Sequence, residues 1–234
     1  MTAAALELIG VTSGYGSSPV VHDVSLQIAP GEILALVGKN GMGKSSLLKT
    51  ILAFLPAWKG AVRLDGHDVT RLAPHRKRAL GLAYAPQEQA LFQDLTVRDN
   101  LRLGLADDRK FEALLADVSG WFPILTARLA QRAGTLSGGE QKMLIVARGL
   151  IAEPRLFLLD EVTEGLQPSV VDRLAEVLAT TRRERGTAML VVEQHLPFVL
   201  GLADRFAVFK RGEVVDAGFV DAGSAERIDE YMSL

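Results

Sequence analysis

The chain has 234 residues, a formal net charge of −2 and no cysteine, and 48% of its residues are hydrophobic. This length suits one domain with subdivisions and a large core. The near-zero charge argues against a general attraction to nucleic acid or anionic lipid, and the lack of cysteine excludes disulfides and thiolate metal sites. No apolar run approaches the roughly 18 residues of a membrane helix, and the first seven residues do not resemble a signal peptide. We therefore expect a soluble intracellular protein that meets a membrane only through partners.

The predicted elements begin with strands and then alternate between strand and helix. The apolar strands of the later chain are typical of a parallel sheet that is covered on both faces, which indicates an α/β fold. The β-rich start and the helical stretch that begins at residue 89 are additions to that core. The predicted strands cover residues 6–11, 20–28, 33–37, 61–64, 82–85, 156–159, 189–192, 206–209 and 213–215. The predicted helices cover residues 44–55, 74–79, 97–103, 111–118, 140–151 and 170–181.

Residues 38–45 read GKNGMGKS and fit the phosphate-loop pattern G-x-x-x-x-G-K-[ST]. The glycines let successive N–H groups point inward as an anion nest, and the helix after the loop adds its positive end. Lys44 would contact the β- and γ-phosphates, and the Ser45 hydroxyl would ligate Mg²⁺. The alternative, an ordinary glycine-rich turn, is disfavoured by the strand before the loop and the helix after it. The candidate nucleotide-binding residues here are Gly38, Asn40, Gly41, Gly43, Lys44, Ser45 and Ser46.

The predicted strand 156–159 is followed directly by Asp160 and Glu161. Ligands of α/β folds bind at the carboxyl ends of the strands, where the phosphate loop also lies. Asp160 could therefore reach the Mg²⁺ held by Ser45, through water. Glu161 would face the γ-phosphate and could orient or deprotonate a water as a general base. The simpler alternative is a strand capped by two solvated acids.

Residues 136–141, LSGGEQ, place a serine and two glycines just before a predicted helix. Such a helix start can bind an anion. Because a single nucleotide already has one cradle around its phosphates, a second site suggests another surface on the same phosphate, such as a surface of another subunit. The alternative is an ordinary Ser-Gly-Gly helix cap.

In this order, the phosphate loop, Gln87, the LSGGEQ segment and the strand ending in Asp160-Glu161 resemble the ATP-binding subunits of ABC transporters. The resemblance covers residues 6 to about 218. It implies a single ABC ATPase domain over residues 1–234, with a mostly parallel P-loop NTPase core, an N-terminal antiparallel β subdomain and an inserted α-helical subdomain of about 89–150. It also implies ATP and Mg²⁺ as cofactors, a head-to-tail dimer with an identical or different ATPase subunit, and transmembrane permease subunits as partners. No nucleic-acid partner is expected.

The resemblance also assigns roles to individual residues. Tyr15 matches the aromatic that stacks on adenine, although a tyrosine between two glycines can be a plain loop aromatic. Gln87 matches the glutamine that contacts Mg²⁺ and the attacking water and senses the membrane subunit. Glu161 matches the catalytic base. Ser137 and Gly139 match the contacts to the γ-phosphate of the other subunit's nucleotide, and Gly138 is a further candidate nucleotide-binding residue.

Four positions depart from the family pattern. Val162 replaces the usual proline after Glu161, Glu164 stands where most relatives have a small residue, and Gln167 replaces an aspartate. Gln194 aligns with the family's switch histidine. His195 falls one residue late, and a shift of one residue at a strand end turns the side chain the other way. We therefore predict that Gln194 contacts the γ-phosphate by hydrogen bonding only.

The chain resembles three groups of transporter ATPases, which differ in the substrate that they transport. Residues 131–135 and 193–194 resemble the second ATPase subunit of branched-chain amino acid importers. Residues 163–168 are closer to urea or amide importers, and residues 86–88 and 91–92 partly resemble lipopolysaccharide-export ATPases. The first group has the most matches, so we predict an ATPase that drives transport of branched-chain or related amino acids from the cytoplasmic face of the inner membrane. A soluble ABC ATPase acting on nucleic acid or ribosomes and a weakly hydrolysing regulatory subunit are competing hypotheses.

Three remaining segments have simpler interpretations. The basic run at residues 75–78 is expected to be a solvated helix face, since no aromatic is interleaved with it. Residues 121–123 are expected to pack between helices. Leu91 and Phe92 could line a groove that receives a helix of the membrane subunit.

Overall fold

The computed structural model describes residues 3–87 and 90–233. Residue 89, where the helical subdomain is predicted to begin, and Glu88 lie outside the described residues. The described residues form ten strands and nine α-helices. The strands are β1 (Leu6–Tyr15), β2 (Ser18–Ile28), β3 (Ile33–Val37), β4 (Ala57–Leu64), β5 (His67–Asp68), β6 (Leu82–Ala85), β7 (Leu156–Asp160), β8 (Ala188–Glu193), β9 (Arg205–Lys210) and β10 (Glu213–Phe219). The helices are α1 (Lys44–Ile51), α2 (Pro74–Ala79), α3 (Val97–Arg102), α4 (Phe111–Trp121), α5 (Pro123–Thr126), α6 (Gly138–Leu150), α7 (Pro168–Arg185), α8 (Leu196–Leu202) and α9 (Ser224–Ser233).

The strands form two sheets. The larger has the strand order β10-β9-β3-β8-β7-β6, in which all neighbours are parallel except the antiparallel pair β9–β10. The smaller is antiparallel, with the order β2-β1-β4-β5. The helices α3 to α6 lie between β6 and β7 along the chain. The predicted α/β class, with a mostly parallel core sheet and an N-terminal antiparallel sheet, is confirmed, whereas the domain boundaries remain a prediction.

The parallel sheet is buried on both faces because successive side chains of each strand alternate between two cores. On β7, Phe157 and Leu159 pack with the apolar residues of α3, α4, α6 and α7. Leu156 and Leu158 face the opposite side, where α1 and the antiparallel sheet cover them. Trp121 is buried in the helical cluster, as the sequence predicts. This arrangement brings the carboxyl ends of β3, β6, β7 and β8 to one edge.

Several element boundaries differ from the sequence prediction. Strands β1 and β2 run on through the predicted loops and leave only Gly16 and Ser17 as a tight turn. Helix α1 ends at Ile51 rather than near residue 55, because Ala53 has a left-handed φ of 63°. The sequence prediction missed helices α8 and α9. Among residues 3–87 and 90–233, no helix combines the length and hydropathy that crossing a bilayer requires.

Lys77 corrects the expectation that residues 75–78 form a solvated helix face. Its side chain is fully buried, and its Nζ donates a hydrogen bond of 2.7 Å to the carbonyl of Ile51, the last residue of α1. A lysine ammonium here satisfies a helix C-terminus and its negative partial charge. Burial lowers the pKa of Lys77 to about 8, although Asp68 opposes this shift. Lys77 thus ties α2 to the end of the helix that follows the phosphate loop.

The lowered pKa of Lys77 predicts that stability increases with pH above 8. Below pH 8 the lysine is protonated in both the folded and unfolded chains, so the penalty for burying the ammonium is fully present. Between pH 8 and about 10 the unfolded chain binds a proton that the folded chain has lost, so the free energy of unfolding rises, by at most about 1.4 kcal/mol per pH unit. We expect Lys77→Met to abolish this rise. Urea unfolding at pH 7.5, 8.5 and 9.5 measures it.

The matched control is Lys59→Met, because Lys59 is an exposed lysine on β4. It should keep the pH dependence of the unmodified chain. Burial and the neighbouring Asp160 raise the pKa of Tyr84. This shift lowers the free energy of unfolding only above about pH 10, so it does not affect measurements between pH 7.5 and 9.5. Equal slopes for Lys77→Met and the unmodified chain would contradict the assignment.

Candidate active site

The loop between β3 and α1 forms the first part of the site. Gly43 has a φ of 100°, a left-handed conformation that favours glycine, and α1 begins at the next residue. A Cβ on Gly38 would lie 2.2 Å from the carbonyl oxygen of Phe209, so only glycine lets the loop pack against the end of β9. Lys44 is buried, and its Nζ donates to the carbonyls of Gly38 (2.6 Å) and Lys39 (3.0 Å). The strand, loop and helix predicted for residues 33–45 are all present.

Ser45 and Asp160 meet at the edge of the parallel sheet. The Ser45 hydroxyl donates to Asp160 Oδ1 at 3.3 Å, and the Tyr84 hydroxyl donates to Asp160 Oδ2 at 3.1 Å. Burial raises the pKa of the Asp160 carboxyl. The sequence prediction missed Tyr84, because only the pairing of β6 with β7, which places Tyr84 opposite Leu158, brings it beside the end of β7.

Glu161 is the centre of the site. Its carboxylate is 5% exposed, with Oε1 3.1 Å from Lys44 Nζ and 3.1 Å from the donating Gln194 Nε2. Gln87 Nε2 donates to Oε2 at 3.0 Å. Glu161 has a left-handed φ of 47°, and its N–H bonds to the carbonyl of Val192 on β8. Such a backbone conformation costs on the order of 1–3 kcal/mol in a residue other than glycine and is typical of functional sites.

The side chains of Gln194 and His195 lie in different surroundings, as the sequence predicts. The Gln194 Nε2 donates to Asn40 Oδ1 at 2.6 Å as well as to Glu161, so this side chain joins the phosphate loop to the central carboxylate. His195 is exposed at the start of α8. The structure thus places Gln194, and not His195, beside the phosphate loop, while its contact with a γ-phosphate remains a prediction.

Three charged residues to which the sequence prediction gave no role in the site hold the loops around Glu161. Glu193, at the end of β8, is buried, and its Oε1 accepts from the N–H of Thr163 at 2.9 Å. Burial raises the pKa of the Glu193 carboxyl. Lys142 on α6 donates to the carbonyls of Gln87 and Glu161. Glu164 accepts from Gln87 Nε2 at 2.7 Å. These contacts join distant segments, so no local pattern indicates them.

The remaining candidates lie at the surface. Tyr15 is 49% exposed at the end of β1, and its hydroxyl is 3.4 Å from that of Ser46 on α1. Ser137 caps α6: its Oγ accepts from the Glu140 N–H at 3.3 Å, and Glu140 Oε2 accepts from the Ser137 N–H at 2.9 Å. The helix-cap interpretation of this segment is therefore correct as local structure. Ser137 and Gly138 are also exposed, so a second molecule can reach them.

Three features define a P-loop nucleoside triphosphatase: a buried parallel strand, a glycine loop with Lys44 and Ser45 at the helix start, and Asp160-Glu161 at the end of β7, two strands away in the same sheet. Residues 21–164 match the protein family described as ABC transporter, and the chain belongs to this family. It binds ATP and hydrolyses it, as the sequence predicts. The roles of the individual site residues remain predictions.

The relatives cover almost the whole chain. A high-affinity branched-chain amino acid transport ATP-binding protein, BraG of Pseudomonas aeruginosa, is 38% identical over 95% of this chain and 97% of its own length. A probable branched-chain amino acid transport ATP-binding protein, LivF of Archaeoglobus fulgidus, is 34% identical over 91% of each chain. A solved structure of an ATP-binding subunit of an ABC transporter superposes with a TM-score of 0.84 at 26% identity, over 98% of this chain and 95% of that one.

Proposed function

We propose that this chain is the ATP-hydrolysing subunit of an importer for branched-chain or related amino acids, working on the cytoplasmic face of the inner membrane. The observation that carries the enzymatic part is the convergence of Lys44, Gln87 and Gln194 on the carboxylate of Glu161. The transport part is supported by the names of the BraG and LivF relatives. The competing functions are import of urea or amides, lipopolysaccharide export and an action on nucleic acid.

ATP binding follows from the groups around the phosphate loop. The N–H groups of residues 38–45 and the start of α1 surround the phosphates, and the Lys44 ammonium contacts the β- and γ-phosphates. Tyr15 stacks on the adenine. Asn40 bonds to Gln194, and Ser46 lies near Tyr15. These two residues therefore connect the loop to the γ-phosphate end and to the adenine end of the nucleotide.

The oxygen atoms near Ser45 fit Mg²⁺. This hard cation prefers oxygen ligands and is usually bound by one or two protein groups together with phosphates and waters. The Ser45 hydroxyl and Asp160 Oδ1 already lie 3.3 Å apart, and the amide oxygen of Gln87 is a third candidate. In the described part of the chain, no cluster of three or more His, Asp or Glu side chains forms a separate metal site. When bound, Mg²⁺ neutralises charge on the phosphate oxygens.

Hydrolysis follows from the position of Glu161. A water oxygen attacks the γ-phosphorus and the bond to the β–γ bridging oxygen breaks, which yields ADP and phosphate. Glu161 accepts the proton of that water as general base. Gln194 and Gln87 keep the carboxylate oriented, and Lys44 stabilises the charge on the transferred phosphoryl group. Ser137, Gly138 and Gly139 of a second ATPase subunit complete the site in a head-to-tail dimer.

A groove of about 830 Å³ lies between α2, α6 and residues 103–106, which follow α3. It is lined by exposed apolar side chains, including Phe54 and Phe92, and by the cations Arg78 and Arg148. Among the described residues that line it, none is acidic. It lies close to Gln87 along the chain, so an apolar helix of a permease seated there could act on the site. We propose this groove as the permease site.

Proteoliposomes that contain the chain with its permease subunits test the function. We expect leucine, isoleucine or valine to raise ATP hydrolysis. Stimulation by urea or short amides alone would favour the amide importers and contradict the amino acid assignment. Stimulation by lipopolysaccharide or by nucleic acid, with no response to any amino acid, would favour lipopolysaccharide export or an action on nucleic acid.

The same assembly tests the groove. Replacing Phe54 and Phe92 by serine should abolish co-purification with the permease, because both side chains line the groove and are 62% and 58% exposed. Leu91, which the sequence hypothesis placed with Phe92, does not line this groove and packs against the helical cluster instead. The control is Phe219→Ser, since Phe219 is 75% exposed on β10 and outside the groove. Unchanged co-purification of the Phe54→Ser/Phe92→Ser variant would exclude this groove as the permease site.

A further inference from the structure

Gln87 is held by two carboxylates. Strands β6 and β7 pair with Ala85 opposite Leu159, so Gln87 and Glu161 follow their strands at equal height. The amide Nε2 of Gln87 donates to Glu161 Oε2 at 3.0 Å and to Glu164 Oε2 at 2.7 Å. Glu164 reaches this position from a turn in which the N–H of Leu166 bonds to the carbonyl of Thr163.

These two contacts orient the amide. A primary amide has two N–H donors on one atom and an acceptor oxygen on the other. Two carboxylates accept hydrogen bonds from the amide nitrogen of Gln87. If the amide were flipped, its oxygen would face both carboxylates and be repelled by them, so the observed orientation is the favoured one. The amide oxygen of Gln87 is therefore the end that is available to a cation or to a proton of water.

Glu164 has a part in this that Glu161 cannot play alone. Glu161 also pairs with Lys44 and accepts a hydrogen bond from Gln194. As general base it takes up a proton during the reaction. A protonated carboxyl is a weaker acceptor than a carboxylate, so the hold of Glu161 on Gln87 weakens at that moment. Glu164 is exposed and takes no part in the proton transfer, so its contact persists.

We propose that Glu164 is a positioning residue for Gln87: it anchors the amide nitrogen so that the amide oxygen faces the divalent cation and the water at the γ-phosphate. The proposal rests on the proposed function, in which Gln87 is a cation ligand.

The test measures Mn²⁺ binding, by electron paramagnetic resonance, to the full chain with a non-hydrolysable ATP analogue. Glu164→Ala should weaken Mn²⁺ binding about three- to tenfold, the range expected when one hydrogen bond is lost. Glu164→Gln keeps an acceptor oxygen and should restore most of the affinity. Asp172→Ala removes an exposed carboxylate from α7 and should leave Mn²⁺ binding unchanged. Thermal unfolding of each variant should match that of the unmodified chain.

A double-mutant cycle with Gln87→Ala separates positioning from simple attraction between charges. In the Gln87→Ala background, Glu164→Ala should have no further effect on Mn²⁺ binding. An equal loss in that background, or a Glu164→Gln variant as weak as Glu164→Ala, would show that only the charge matters and overturn the proposal. Normal Mn²⁺ binding by Glu164→Ala would overturn it as well. If Gln87→Ala itself binds Mn²⁺ normally, the failure lies in the cation role that the proposed function gives to Gln87.

Discussion

Replacing Glu161 by glutamine should lower the rate of ATP hydrolysis by about 10²- to 10⁴-fold, the usual contribution of a general base. Glutamine has the size of glutamate and its oxygen can still accept from Gln194, but it cannot take a proton from water. Lys44 keeps its bonds to the carbonyls of Gly38 and Lys39, so the phosphate loop should keep its structure. ATP should therefore still bind, and the ATP-bound dimer should accumulate because hydrolysis no longer releases it.

Phosphate release and size-exclusion chromatography with ATP measure these two effects. The control is Glu184→Gln, an exposed glutamate in the last turns of α7, which should hydrolyse ATP at the unmodified rate. Turnover of Glu161→Gln within a fewfold of the unmodified chain would remove Glu161 from the role of base. A monomeric Glu161→Gln variant that binds ATP would argue against the head-to-tail dimer.

Replacing Lys44 by methionine should weaken ATP binding about 10- to 100-fold, because hydrogen bonds to charged groups contribute about 1.5–3 kcal/mol. The change has a second effect. It leaves the Glu161 carboxylate, 5% exposed, without the ammonium that lies 3.1 Å away. Breaking a buried ion pair from one side destabilises a protein by about 3–5 kcal/mol. The single variant should therefore bind ATP poorly and also unfold at a lower temperature.

The double variant Lys44→Met/Glu161→Gln separates the two effects. Removing both charges should restore much of the thermal stability but none of the lost ATP affinity, since the phosphates still lack the ammonium. Lys49→Met on the same helix is the control, because Lys49 is exposed and should affect neither quantity. Calorimetric titration with ATP and thermal unfolding give the two readouts. Unmodified affinity in Lys44→Met would contradict the placement of the phosphates.

The contiguous parts of the site could be predicted because their chemistry is local. The turn of residues 38–43, the helix that starts at Lys44 and the two acids at the end of β7 each depend on neighbours along the chain, and all three are present. The alignment of Gln194 with the switch position also agrees with its place beside Asn40. Composition and strand pattern were enough for the α/β class.

The contacts between these parts could not be predicted in the same way. Tyr84 reaches Asp160 across 76 residues, and Glu193 bonds to the N–H of Thr163 across 30 residues. The basic run that contains Lys77 has the composition of a solvated helix face, and only the packing of α2 against the end of α1 makes Lys77 a buried cap. Helix propensity and charge pattern describe a segment without its neighbours, so they carry no information about such burial.

The sequence by itself determined the class of protein and the chemical groups that handle phosphate, because glycine conformation, a lysine and a serine at a helix start, and acids at a strand end act within a few residues. The tertiary structure decided how these groups are joined. The parallel order β3-β8-β7-β6 brings Lys44, Gln194, Glu161 and Gln87 to one edge of the sheet. The order of strands depends on how whole faces are buried, and it is this order that makes one carboxylate the meeting point of four distant segments.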